Sequence, residues 1–369
     1  MDTVSLIDVA SYLPGPPITT DYFTRHAPSD RKAQNIMFRA PAHRHHVAAA
    51  ESAVDMAERA IAPLIDRHGT AAIDGIDVLL THTQLPDLPV LGCGAELARR
   101  LGMRPRCILD LHNGGCAAYI YMLDLARTLL SSRPDAHTAL IVAVQNSAGQ
   151  IFTQPDVRPL AQAAVPGDGC GVGLLHRSDR APILDVECRH YPQFAGDMTA
   201  AIEPPRKYWE PGTGQLRIAF TESKIATVFA RGNRLVPEVA LAVCDRIGVR
   251  STEVDTFVTN QPNRLFLRNW REALELPPEH HPDTFDACGN LFGAAIPVTL
   301  DTENRAGRIP NGALVLLAGF AHAGDFAAAA AIRWGAAPPP PPRTHDPLTP
   351  AADERRQPVD CHRCRMGGP

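Results

Sequence analysis

The chain has 369 residues, 45% of them hydrophobic, with nine cysteines and a formal net charge of −4. That length and apolar content supply a large core, and the slight acidic balance argues against nucleic acid or an anionic membrane as a partner. An odd number of cysteines in a long chain fits a reduced, cytoplasmic protein rather than a disulfide framework. The opening MDTVSLIDVASYLPG lacks the basic flank and long apolar stretch of a secretion signal, and no uninterrupted apolar run of about 18 residues predicts a membrane span.

Strand-like apolar runs alternate with helical patterns, the signature of an α/β protein. Helices are predicted over 47–66, 92–102 and 116–132, and strands over 76–83, 107–111, 137–146 and 171–177. A second set begins near 182: a helix over 234–248, a strand over 254–261, a turn and helix over 289–307, and a strand over 312–320. The alanine run AAAAAIRW at 327–334 suits either a strand or a short helix. Similar size and order suggest two related halves, 1–180 and 181–336. The remainder, 337–369, opens on a proline run and reads as a tail that packs no core. Its Cys361 and Cys364 have CxxC spacing, but a tetrahedral zinc site needs about four ligands and no second pair is near, so no metal is expected.

The segment DLHNGGCAAYIYMLDLARTLL (110–130) places Cys116 where a Gly-Gly turn gives way to a mostly apolar helix. A helix start carries unpartnered N–H groups and the positive end of the dipole. A thiol there ionises more easily, and the thiolate is the nucleophile. Gly114 and Gly115 remove side-chain bulk, so a substrate can approach. The alternative is a small core cysteine.

Four segments, in order, resemble the β-ketoacyl-acyl-carrier-protein synthase III type of the thiolase superfamily. They are LDLHNGGCAAYIYMLDLA (109–126), PGDGCGVGLLHR (166–177), DTFVTNQPNRLFLRNW (255–270) and DACGNLFGAAIPVTL (286–300), and the closing LLAGFAHAGDFAAAAAIRW (316–334) is similar too. The resemblance implies a thiolase-like five-layer αβαβα fold with two duplicated halves, usually a homodimer. It implies that Cys116 accepts an acyl group from acyl-CoA or an acyl-carrier protein, with no permanently bound cofactor. An oxyanion hole would come from the Cys116 N–H and one from the loop near His322 and Ala323.

The family's HQAN segment is NQPN here, so Asn260 replaces its histidine, whereas the asparagine of its GN motif is retained as Asn290. In condensing members these two stabilise the enolate formed when a malonyl thioester loses CO2. An amide can donate a hydrogen bond but cannot take up a proton, which weakens the case for decarboxylative condensation. One extra residue also separates Asp110 from Cys116 relative to the common pattern.

His322 is the best replacement base, with Asp325 three residues on to orient it, as in a Cys-His-Asp arrangement. His112 and His82 are lesser candidates. Cys288 either lines the pocket or fills space, and Asp168 is read as a turn and packing residue. The first functional reading is therefore an acyltransferase of secondary metabolism, in which an acyl group on Cys116 passes to a hydroxyl or amine of a small-molecule acceptor. The second is a carbon–carbon condensing enzyme. The third is a non-catalytic partner subunit of a ketosynthase-like heterodimer, against which Cys116 counts.

Overall fold

The computed structural model describes residues 3–26, 36–83, 85–87, 91–203, 215–219 and 222–335. The proline-rich tail and its CHRC lie outside the described residues. The main elements are β1 (Val4–Tyr12), α1 (Ala53–His68), β2 (Val78–Thr83), α2 (Gly94–Arg100), β3 (Cys107–Leu111), α3 (Ala118–Ser132), β4 (Thr138–Gln145), β5 (Gly169–Arg177) and β6 (Ile183–His190). They continue with α4 (Glu222–Ile247), β7 (Thr256–Thr259), α5 (Arg264–Ala273), α6 (Ala295–Arg305), β8 (Leu314–Ala321) and β9 (Phe326–Arg333). A separate hairpin pairs Thr199–Glu203 with Gln215–Ala219.

Two sheets carry the fold. The first has the order β1-β5-β4-β2-β3 and the second β6-β9-β8-β7. Strand senses also match: β1 and β6 run antiparallel to β5 and β9, these run antiparallel to β4 and β8, and β4 and β8 run parallel to β2 and β7. The duplication that the sequence hints at is thus explicit in the topology, with β3 an extra edge strand in the first half.

Helices α3 and α6 lie between the sheets. Their apolar residues, among them Tyr119, Leu123, Ile296 and Leu300, share one core cluster with inward-facing residues of both sheets. Helices α1 and α2 cover the outer face of the first sheet, and α4 and α5 that of the second. The result is the five-layer αβαβα arrangement. Glycines let the central helices come close. On β5, which exposes alternate residues to one face, a Cβ at Gly171 would lie 2.5 Å from Pro297 and one at Gly173 would lie 2.4 Å from the Tyr119 hydroxyl.

The alanine run is a strand, β9, hydrogen-bonded on both sides to β8 and β6. Its alanines alternate between the central core and the outer core of the second half, so ladder pairing overrides the helix preference of alanine. Helix α4 starts at Glu222, well before the expected 234. Gly232 inside it is demanded by packing, because a Cβ there would meet Phe266 and Phe320 at 2.7 and 2.8 Å. Among the described residues no helix is long and apolar enough to cross a membrane.

Candidate active site

Cys116 sits in the 3-10 turn Gly115–Ala117 that leads into α3. Gly114 and Gly115 hold φ of 98° and 45°, the left-handed region that glycine enters without a side-chain clash. The space over Gly115 is filled by His322: a Cβ at 115 would lie 3.2 Å from the imidazole Nε2. His322 follows β8 and is itself left-handed, at φ 49°. Its Nδ1 lies 2.9 and 3.1 Å from the two carboxylate oxygens of Asp325. With Nδ1–H donating to Asp325, the lone pair falls on Nε2, on the side of the ring that meets the Gly115–Ala117 turn.

Cys116 is buried, and burial pushes its thiol up to about 12, with the charge of Asp325 acting in the same direction against its own backbone N–H. The sequence-based expectation of an easily ionised thiol is corrected here: desolvation outweighs the helix start. A thiol held there is neutral at pH 7, and a base would be needed to ionise it.

Asn260 stands at the carboxyl end of β7, only 1% exposed, and neither its Oδ1 nor its Nδ2 has a hydrogen-bond partner. Gly319 on β8 makes room for it, since a Cβ there would lie 3.0 Å from that Oδ1. Asn290 is fixed by its own turn. Its Oδ1 accepts from the Phe292 N–H at 3.0 Å, and its backbone exchanges hydrogen bonds with Val165 and Gly167.

Cys116, Asn260, Asn290 and His322 line one cavity of about 150 Å³. Its walls are apolar, including Phe38, Phe152, Met198, Val228, Phe266 and Phe320, and none of its lining residues is Lys, Arg, Asp or Glu.

The other candidates lie elsewhere. His112 is exposed and does not line the cavity. His82, at the carboxyl end of β2, is buried behind Gly293. Its Nδ1 meets the Leu111 carbonyl at 3.2 Å, its Nε2 has no partner, and burial brings it down to about 4, so the ring is neutral. Cys288 fills a small apolar cluster with Leu291, Ala294 and Val298. Asp168 is fully buried and accepts from the backbone N–H groups of Val47, Ala148 and Gly149 at 2.7–2.8 Å, tying three segments together. Sequence reasoning missed the steric demand at Gly115 and Gly293; a second glycine-bearing turn before α6 was the available signal.

Known proteins resemble this chain in sequence and in fold. The family model for the C-terminal part of 3-oxoacyl-[acyl-carrier-protein] synthase III matches residues 244–334. The β-ketoacyl-[acyl-carrier-protein] synthase III 1 of Halalkalibacterium halodurans is 28% identical over 282 residues, 76% of this chain and 83% of that protein. The corresponding protein of Campylobacter curvus is 25% identical over 86% of this chain and 92% of its own. The crystal structure of the Thermus thermophilus synthase III superposes with a TM-score of 0.78 at 27% identity, covering 90% of this chain and all of that one. OleA of Xanthomonas campestris shares the fold, with a TM-score of 0.75 at 17% identity over 90% of this chain and 98% of that one. The matched segment 244–334, these relatives and the paired sheets point one way: the chain is similar to the β-ketoacyl-[acyl-carrier-protein] synthase III proteins and shares their thiolase-like fold.

Proposed function

We propose that this protein is an acyltransferase of secondary metabolism that uses Cys116 as nucleophile and His322, oriented by Asp325, as base. In the first step Nε2 of His322 takes the thiol proton, and the thiolate attacks an acyl thioester of coenzyme A or a carrier protein. The donor's thiolate leaves and takes that proton. In the second step His322 takes the proton of an acceptor hydroxyl or amine, which attacks the acyl-enzyme, and the Cys116 thiolate leaves and is reprotonated. N–H groups of Cys116 and of the loop at 322–323 are the oxyanion donors in this scheme. A homodimer in the cytoplasm is the assembly that the family resemblance favours.

The observation that carries this proposal is the exchange of base. By the resemblance, Asn260 stands where condensing members of the family have an imidazole, while a His–Asp pair packs over Gly115. The buried, unpartnered amide of Asn260 can donate and accept toward a bound substrate but cannot shuttle a proton. The apolar cavity suits an uncharged acyl chain.

A condensing activity is the second reading, favoured by Asn290 on the cavity wall and by the β-ketoacyl synthase names of the relatives. Intact-protein mass spectrometry with a panel of acyl-CoAs and acyl-carrier proteins, with and without malonyl-CoA, separates the two. Acyl transfer gives a mass gain in wild type, none in Cys116→Ala, and no CO2 from malonyl thioester. Cys116-dependent CO2 release selects condensation, and no adduct with any donor refutes both.

A further inference from the structure

The turn that carries His322 and Asp325 is held from outside by a residue remote from the cavity lining. Arg231, on α4, is only 8% exposed. Its Nη1 donates to the carbonyl of Ala323 at 2.6 Å, its Nη2 pairs with Asp197 at 2.9 Å, and its guanidinium stacks on the ring of Phe194 at 3.4 Å. Its stem packs so tightly on the turn that a Cβ at Gly324, φ 98°, would lie 2.4 Å from the Arg231 Cδ. The opposite end of the turn is tied by the Tyr191 N–H, which donates to the Asp325 carbonyl at 2.6 Å.

This turn needs holding. His322 is in the left-handed region, which a non-glycine residue enters only against its Cβ sterics. A buried cation is itself costly unless paired and hydrogen-bonded. Arg231 meets both needs together, because a planar guanidinium can serve a carboxylate and a carbonyl at once, whereas an ammonium is a single point. Sequence neighbours of Arg231 and of its partner Asp197 do line the cavity: Met198 follows Asp197, and Ile225 and Val228 precede Arg231 on α4.

Resting on the proposed role of His322, we infer that Arg231 is a positioning residue, which fixes the His322–Asp325 turn over Gly115 and joins it to the segment before Met198 and to α4, both of which reach the cavity wall. It acts through the Ala323 carbonyl and Gly324, not on the substrate.

The test reads Cys116 directly and needs no acceptor. Iodoacetamide alkylation of Cys116 is followed by peptide mass spectrometry against pH, alongside thermal melts, in wild type, His322→Ala, Arg231→Met, Arg231→Lys and the Arg231→Met/His322→Ala double variant. The charged and titratable groups near His322 are Asp325 on its own turn, Cys116 next to Gly115, and His82 from the first half; Arg231, Asp197 and Lys224 lie behind the turn. His322→Ala is expected to slow alkylation at pH 7 about tenfold and move the profile to higher pH. Arg231→Met should reproduce that shift, and the double variant should be no slower than His322→Ala alone. Arg231→Lys keeps the charge and should stay nearer to Met than to wild type.

A wild-type profile in Arg231→Met, an effect that adds to that of His322→Ala, or full recovery in Arg231→Lys each overturns the positioning role. If His322→Ala leaves the profile unchanged, the base assignment itself is wrong and the role of Arg231 falls with it. Should Arg231→Met fail to fold, Asp197→Asn is read instead: a smaller shift in the same direction supports the clamp, and none refutes it.

Discussion

The two halves build the same turn and fill it with opposite side chains. Gly115 and Phe292 have nearly the same left-handed φ, 45° and 44°, each at the start of a 3-10 turn that leads into a central helix. Position by position, Gly115-Cys116-Ala117-Ala118 matches Phe292-Gly293-Ala294-Ala295. The first half gives up its side chain at the left-handed residue, where His322 must fit, and bears a thiol at the next. The second half keeps a ring at the left-handed residue, where it lines the cavity, and gives up its side chain at the next, where Gly293 abuts His82 and the Gly115 carbonyl. One backbone thus serves two purposes, and the difference between nucleophile and buttress lies in which residue is bare.

The comparison can be broken from either side. The largest effect is expected from His322→Ala, which should lower turnover of the acyl-enzyme by about 10²–10⁴-fold with the fold retained, measured by single-turnover mass spectrometry. Gly115→Ala should follow, with about 10²-fold slower acyl loading, because the new Cβ sits at 3.2 Å from His322 Nε2 in a left-handed residue. Its counterpart Gly293→Ala should instead show its main effect in thermal unfolding, since its Cβ meets the Gly115 carbonyl at 2.9 Å; equal catalytic losses in the two variants would refute the division of labour. Acid should destabilise the whole molecule. Burial holds His46 and His82 at about 4 and His281 at about 3, below the ordinary 6.5. At these three sites the unfolded chain binds protons that the folded one refuses, so their contribution to stability is complete above pH 6.5 and falls as pH drops toward 4, offset in part by Asp168, which burial raises to about 7. Melting temperatures across that window check the sign, and a flat profile would contradict it. The smallest effect is expected of Asn260→Leu: acyl loading near wild type and stability unchanged or raised by about 1 kcal/mol, since two buried unpaired amide atoms are removed.

Much of the fold was legible because buried strands such as 78–83 and 138–145 announce themselves as apolar runs. β1 was not, since its half-buried pattern around Asp8 is short of such a run. The first turns of α4 were obscured by Gly232, whose reason is Phe266 and Phe320, far away in sequence. In the site, the Gly-Gly-Cys turn and the three-residue spacing of His322 and Asp325 could be read directly. The protonation state of Cys116 could not, because the helix start and burial act in opposite directions and only the depth of the thiol decides between them. The matching φ of Gly115 and Phe292 is likewise invisible in the letters.

The bare position at Gly293 has a consequence for stoichiometry. A second thiol at the equivalent place would need a Cβ where the Gly115 carbonyl and His82 already stand, so the duplicated scaffold is closed to a duplicated reaction. On the proposed function each chain would be charged once per cycle, and the asymmetry of the pair is locked in by a carbonyl oxygen rather than by a side chain of the proposed chemistry.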